Sequence, residues 1–86
     1  MRAAFVSGVI LAVGVLWSDH AQAKAVILRA ARRDIEEAVI EHHDRRQSNP
    51  GPAAWRLTVG PWVILYDHPD RGDPSVARVV TLWRHR

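Results

Sequence analysis

The pattern of apolar and polar residues changes twice along the chain. The residues from Ala3 to Trp17 are uncharged and mostly apolar. The run from Lys24 to Leu28 is short and contains β-branched residues, which predicts one buried strand. From Arg29 onward, apolar residues fall at helical spacing and predict a helix of about four turns. The members of this stripe are Ala31, Ile35, Ala38, Val39 and His42.

A strict alternation begins at Trp55. Trp55, Leu57 and Val59 share one face of a predicted strand, and Arg56 and Thr58 share the other. This segment is therefore expected to be half-buried, with its polar face toward water.

The next residues predict a β-hairpin. Gly60-Pro61 predicts a two-residue type II′ turn, because glycine supplies the positive φ and proline needs no N–H at the second position. The segment from Trp62 to Leu65 is apolar on both faces, as in an interior strand. The segment from Val76 to Trp83 predicts a last strand.

These elements predict an α+β domain at residues 24–86, in the order β-α-β-β-β. A short strand and one helix are expected to pack on a three-stranded antiparallel sheet. A domain of this length has a small hydrophobic core. A partner that covers apolar surface would therefore add stability to the fold.

The first 23 residues predict a cleavable signal peptide. Arg2 gives a positive start, the apolar run follows, and Ala21-Gln22-Ala23 is a small-x-small site for signal peptidase. The run is shorter than the roughly 20 residues that span a bilayer. Two other interpretations stay open: a buried N-terminal element of the domain, or a leader read from a misplaced start codon.

The composition excludes only a few kinds of functional site. The chain has no cysteine, which excludes disulfides and thiolate metal sites. It has 12 basic and 9 acidic residues, which gives a net charge of +3. All of the basic residues except Lys24 are arginines. The arginine side chain is suited to bidentate contacts with phosphate or carboxylate. The pair His42-His43 is a weak metal candidate, because adjacent helical residues point in different directions.

The hairpin phrase RLTVGPWVILY, residues 56–66, resembles the R-x-x-V-G-x-Y-R-x-x-Y hairpin of the RelE/ParE superfamily of type II toxin–antitoxin toxins. The segments AVILRAARRDIEEAV (25–39) and VARVVTLWRHR (76–86) extend the resemblance over most of the chain. Gly60, Trp62 and Tyr66 occupy motif positions within the hairpin.

This resemblance implies a small bacterial toxin of the plasmid-stabilisation type, cytoplasmic and neutralised by a cognate antitoxin protein. RelE-like members cleave mRNA on the ribosome without a metal or other cofactor, and ParE-like members poison DNA gyrase. By position, Arg56, Arg84 and Arg86 would form the basic site, with His85 as an acid or base.

The sequence also departs from the nuclease pattern. Val63 stands where nuclease members have an arginine, and no C-terminal tyrosine follows Arg86. Asp44 to Trp55 is too short for the second helix that members usually have. Loss of one hydrogen-bond donor to the transition state lowers the rate of catalysis about 10²-fold or more. The missing arginine therefore favours a non-nuclease or inactive toxin over an mRNA endoribonuclease. The alternative is a small exported protein with a binding or structural role.

Overall fold

The computed structural model describes residues 14–51, 53–70 and 72–85. The elements, in chain order, are β1 (Gly14–Trp17), α1 (Asp19–Leu28), α2 (Arg32–His42), a 3₁₀ turn (His43–Arg45), β2 (Gln47–Ser48), β3 (Trp55–Val59), β4 (Trp62–Asp67) and β5 (Val76–Arg84). They form one five-stranded sheet in the order β1-β5-β4-β3-β2. Strand β1 is parallel to β5, and the other neighbours are antiparallel. The predicted α+β class is confirmed.

The predicted hairpin forms within this sheet. Val59 lies opposite Trp62, and Gly60 has a φ of 56°, as the first turn position requires. Leu57 is buried, whereas its neighbours Arg56 and Thr58 are exposed. Strand β4 lies between β3 and β5, and its residues 63–66 are buried on both faces of the sheet, which matches its apolar pattern.

The predicted helix is confirmed as α2. Ile35, Ala38 and Val39 are its buried residues. Ala31 stands at the N-cap and provides no side-chain hydrogen bond, so tertiary packing of the apolar stripe stabilises this helix.

The prediction of a strand at 24–28, and of a single helix, is wrong. These residues form the second half of α1, which begins upstream. The Ser18 hydroxyl accepts a hydrogen bond from the backbone N–H of Ala21 over 3.0 Å and so caps the helix. Ala21 and Ala25 are its buried residues, and α1 contacts β5. Small side chains on the buried face let α1 pack closely on the sheet, and this packing outweighs the weak strand preference of the β-branched residues.

Residues 14–23 of the predicted signal segment belong to the described fold. Val15 and Trp17 of β1 pack against the core, and the side chain of Ala21 is fully buried. The predicted cleavage point after Ala23 lies within α1. The rest of the segment, residues 1–13, lies outside the described residues. Neither helix in the described ranges has the length and hydropathy needed to cross a bilayer.

The core lies between the two helices and one face of the sheet. Its largest fully buried side chains come from α2 and from β3, β4 and β5. They are Ile35, Val39, Leu57, Ile64, Tyr66, Val79 and Leu82. The opposite face of the sheet, to which Val63 and Leu65 project, is called the second face below; both of these side chains are buried.

Candidate functional site

The predicted basic site does not form from the described residues. Arg56 lies directly opposite Leu65 in the β3–β4 pair, and Arg84 lies directly opposite Trp62 in the β4–β5 pair. Trp62 packs against the helix-side core, whereas Leu65, an odd number of residues further along β4, points to the second face. Directly opposite residues share a face, so the guanidinium groups of Arg56 and Arg84 lie on opposite faces of the sheet.

Arg84 has a structural role in this geometry. Its Nη2 donates a hydrogen bond to the carbonyl oxygen of Leu28 over 3.2 Å, at the C-terminal end of α1. Its guanidinium carbon lies 4.5 Å from the ring centroid of Trp62. A cation at this end of a helix is favourable for the helix dipole, so Arg84 joins α1 to the sheet.

The other predicted catalytic residues are scattered. The backbone N–H of His85 donates to the carbonyl of Pro61, beside the hairpin turn, and the side chain is exposed. Arg86 lies outside the described residues. Arg56 is exposed and borders a shallow pocket of about 130 Å³ together with Arg45, Gln47 and Thr58.

The motif residues of the hairpin are mainly structural. Gly60 makes the turn, Trp62 is half-buried, and Tyr66 is fully buried in the core. Val63, at the position of the missing arginine, is buried in β4. Trp83 is 38% exposed on β5 and could offer its ring to a partner.

A larger cleft opens at the end of the sheet opposite the Gly60-Pro61 turn. Its volume is about 690 Å³. The side chains that matter for its chemistry are Arg46, Asn49, Trp55, Asp67, His68 and Arg78. No local pattern in the sequence predicts this cleft, because pairing of β3, β4 and β5 brings together residues that are far apart in the chain.

Arg46 is held firmly at this cleft. Its guanidinium carbon lies 4.1 Å from the ring centroid of Trp55. Its Nη1 lies 3.1 Å from the carbonyl oxygen of His43 and 3.0 Å from Nδ1 of the same residue. Nε of Arg46 is buried and has no hydrogen-bond partner among the described residues. The N–H group of Nε therefore still lacks an acceptor.

Tyr66 and His68 stand beside Arg46. Tyr66 lies opposite Trp55, and its ring centroid is 6.0 Å from that of His68. Nδ1 of His68 lies 3.0 Å from the carbonyl oxygen of Val76, so Nδ1 carries the proton that it donates there. Desolvation by burial raises the pKa of Tyr66 to about 12, although the positive charge of Arg46 acts in the opposite direction.

Unpartnered polar atoms are concentrated at this end of the sheet. Oδ2 of Asp67 accepts a hydrogen bond from Nη2 of Arg78 over 3.1 Å. Within the described ranges, the buried side-chain atoms with no hydrogen-bond partner are Nε of Arg46, the Tyr66 hydroxyl, Oδ1 of Asp67 and Nε2 of His68. Nε of Arg46 donates and the Tyr66 hydroxyl can donate a hydrogen bond, whereas Oδ1 of Asp67 and Nε2 of His68 can accept one.

A separate surface lies on α1. Val26 is 78% exposed and Ile27 is 74% exposed. Ala23, also exposed, precedes them by three and four residues, so its side chain neighbours each of the two on the helix surface. These three residues are called the α1 stripe below.

Within the described residues, no group of three or more His, Asp or Glu side chains is arranged to hold a metal ion. Comparisons of the chain with models of known protein families, with curated proteins and with solved structures find no match.

Proposed function

We propose that this chain is a RelE/ParE-like toxin of the non-nuclease kind, and that a cognate antitoxin covers the α1 stripe. The exposure of Val26 and Ile27 carries this proposal. Two large apolar side chains exposed to this degree on one helix of a small domain offer apolar area that a protein partner can cover.

The resemblance of the hairpin gives the partner its class. The phrase at residues 56–66 forms a hairpin with Gly60 at its turn, which is compatible with the resemblance. Two helices precede the meander, and the presence of a second helix supports the resemblance, although this helix covers residues 25–28 that the resemblance assigns to a strand. An antitoxin that wraps the toxin would bury the apolar side chains of α1 and stabilise the domain.

The positions of the arginines favour binding over RNA cleavage. Stabilisation of a phosphorane needs several donors within hydrogen-bond reach of one phosphate. Arg56 and Arg84 lie on opposite faces of the sheet, and Val63 offers no donor. A ParE-like action on DNA gyrase therefore fits this chain better than endoribonuclease activity.

The test is inducible expression with and without the adjacent reading frame. Growth arrest that the neighbouring gene reverses, with co-purification of its product, is the expected result. Intact mRNA together with impaired supercoiling by gyrase would identify the non-nuclease action. Normal growth in both strains, with no co-purifying protein, would contradict the proposal.

A variant of the α1 stripe tests the antitoxin contact directly. The double substitution Val26→Ser and Ile27→Ser is expected to reduce co-purification of the partner without changing the circular dichroism spectrum. Leu16→Ser is the matched control, because Leu16 is an apolar residue that is 52% exposed on β1. Equal loss of the partner in both variants would exclude α1 as the specific contact.

A further inference from the structure

We propose that the cleft lined by Arg46, Trp55, Asp67 and His68 binds a small anionic molecule that also carries a hydroxyl group, such as a hydroxy acid or a sugar phosphate. This inference does not depend on the toxin proposal. It rests on three residues that line the cleft and carry an unpartnered polar atom, Arg46, Asp67 and His68, and on the division of these atoms into one donor and two acceptors.

Buried polar groups in folded proteins almost always have hydrogen-bond partners, because an unpaired one destabilises the fold. Here Nε of Arg46, the Tyr66 hydroxyl, Oδ1 of Asp67 and Nε2 of His68 are buried without one among the described residues. The side chain of Tyr66 is fully buried. Tyr66 belongs to the core and does not line the cleft, whereas Arg46, Asp67 and His68 do. The unpartnered atoms of these three residues indicate a place where a ligand supplies the missing bonds.

The charge of the cleft indicates an anion. Arg78 forms an ion pair with Asp67, with 3.1 Å between Nη2 and Oδ2. Arg46 forms no ion pair with any carboxylate in the described ranges, and stacking on Trp55 together with the contacts to His43 fixes its orientation. A guanidinium fixed in this way binds carboxylate or phosphate oxygens with little loss of side-chain entropy.

The remaining atoms indicate the rest of the ligand. Two acceptors face the cleft beside the arginines, from residues that line it. Nε2 of His68 accepts hydrogen bonds when Nδ1 donates to Val76, and Oδ1 of Asp67 only accepts. A ligand hydroxyl donates to such acceptors. The volume of about 690 Å³ lies in the range usual for small-molecule sites.

The test uses the full chain with ribose 5-phosphate, inorganic phosphate and lactate as separate probes. Binding is measured by isothermal titration and by chemical-shift changes of His68 and the Trp55 indole. We expect ribose 5-phosphate or lactate to bind more tightly than inorganic phosphate, which has no alcohol group. Arg46→Gln and His68→Phe should each weaken that binding about tenfold or more, with Trp55 as the reporter in the His68 variant.

Arg45→Gln is the matched control, because Arg45 carries the same charge, is adjacent in sequence and lines a different pocket. It should leave binding of the small molecules unchanged. If Arg46→Gln unfolds the chain, Arg46→Lys keeps the charge and removes Nε–H, and it should still weaken binding.

Two results would overturn the proposal. One is the absence of any shift at His68 or Trp55 with all three probes at millimolar concentration. The other is binding of a single-stranded oligonucleotide alone, weakened equally by the Arg45 and Arg46 variants, which would indicate a general basic surface instead of a ligand cleft.

Discussion

The indole Nε1 of Trp17 donates a hydrogen bond of 2.7 Å to Oε2 of Glu36, and this bond joins strand β1 to helix α2. The guanidinium carbon of Arg32 lies 5.2 Å from the centroid of the same indole ring. Trp17 also packs against the core and lies opposite Val79 in the parallel pair with β5. An edge strand of four residues is thus connected both to the sheet and to the helical layer.

Removal of the Glu36 carboxylate should destabilise the fold. Glu36→Ala is expected to lower the free energy of unfolding by about 1–2 kcal/mol, because the partly buried indole N–H loses a charged acceptor. Urea unfolding followed by tryptophan fluorescence measures this change. Glu37→Ala is the control, since its ion pair with Arg33 is exposed and such pairs contribute less than about 1 kcal/mol. Equal effects of the two variants would refute a stabilising role for the Trp17–Glu36 bond.

A chain that begins at Lys24 should lose cooperative folding. It lacks β1, the capping residue Ser18 and the buried Ala21, so β5 loses a neighbour and α1 loses its N-terminal half. Thermal unfolding by circular dichroism measures the loss, and a chain that begins at Gly14 is the comparison because it keeps every described element. A sharp transition in the shorter chain would instead support residues 24–86 as the folded unit, as the signal-peptide prediction requires. Mass spectrometry of the N-terminus in cells would then distinguish cleavage after Ala23 from an intact chain.

Gly60→Ala should destabilise the hairpin by about 1–2 kcal/mol, because a side chain at positive φ strains the backbone. No atom lies within 4 Å of the added Cβ, so steric contact contributes nothing to the effect. Gly14→Ala is the control: its φ is not positive, and its Cβ would meet Val76 at an ordinary distance of 3.8 Å. A loss of stability as large in the control would show that the conformation of Gly60 is not the cause.

Stability should fall between pH 10 and pH 12 because of Tyr66, the single tyrosine of the chain. Its pKa is raised from 10.0 to about 12 in the folded chain. Above pH 10 the unfolded chain loses the phenolic proton while the folded chain keeps it, so unfolding becomes more favourable by about 1.4 kcal/mol per pH unit. Below pH 10 both states are protonated and the effect vanishes. Absorbance near 295 nm gives the pKa, and Tyr66→Phe should remove this part of the pH dependence; an unchanged dependence in that variant would contradict the assignment.

Local sequence patterns predicted the meander and α2 correctly because their determinants are short-range. The alternation from Trp55 to Val59, the Gly60-Pro61 pair and the spacing of Ile35, Ala38 and Val39 each specify an element without help from distant residues. The Ser18-Asp19 pair was an available start signal for α1. It was overlooked because the surrounding residues fit a signal-peptide cleavage region equally well.

The sequence by itself determined the α+β class, the hairpin register and the face of α2 that is buried, since periodicity and turn chemistry act over a few residues. Only the tertiary structure decided that residues 24–28 are helical, that β1 pairs with β5, and that Arg56 and Arg84 point away from each other. Only it brought Arg46 to Tyr66 and His68. The strand order, and which side chains of different strands share one face of the sheet, depend on contacts between segments far apart in the chain. A local pattern carries no information about those contacts.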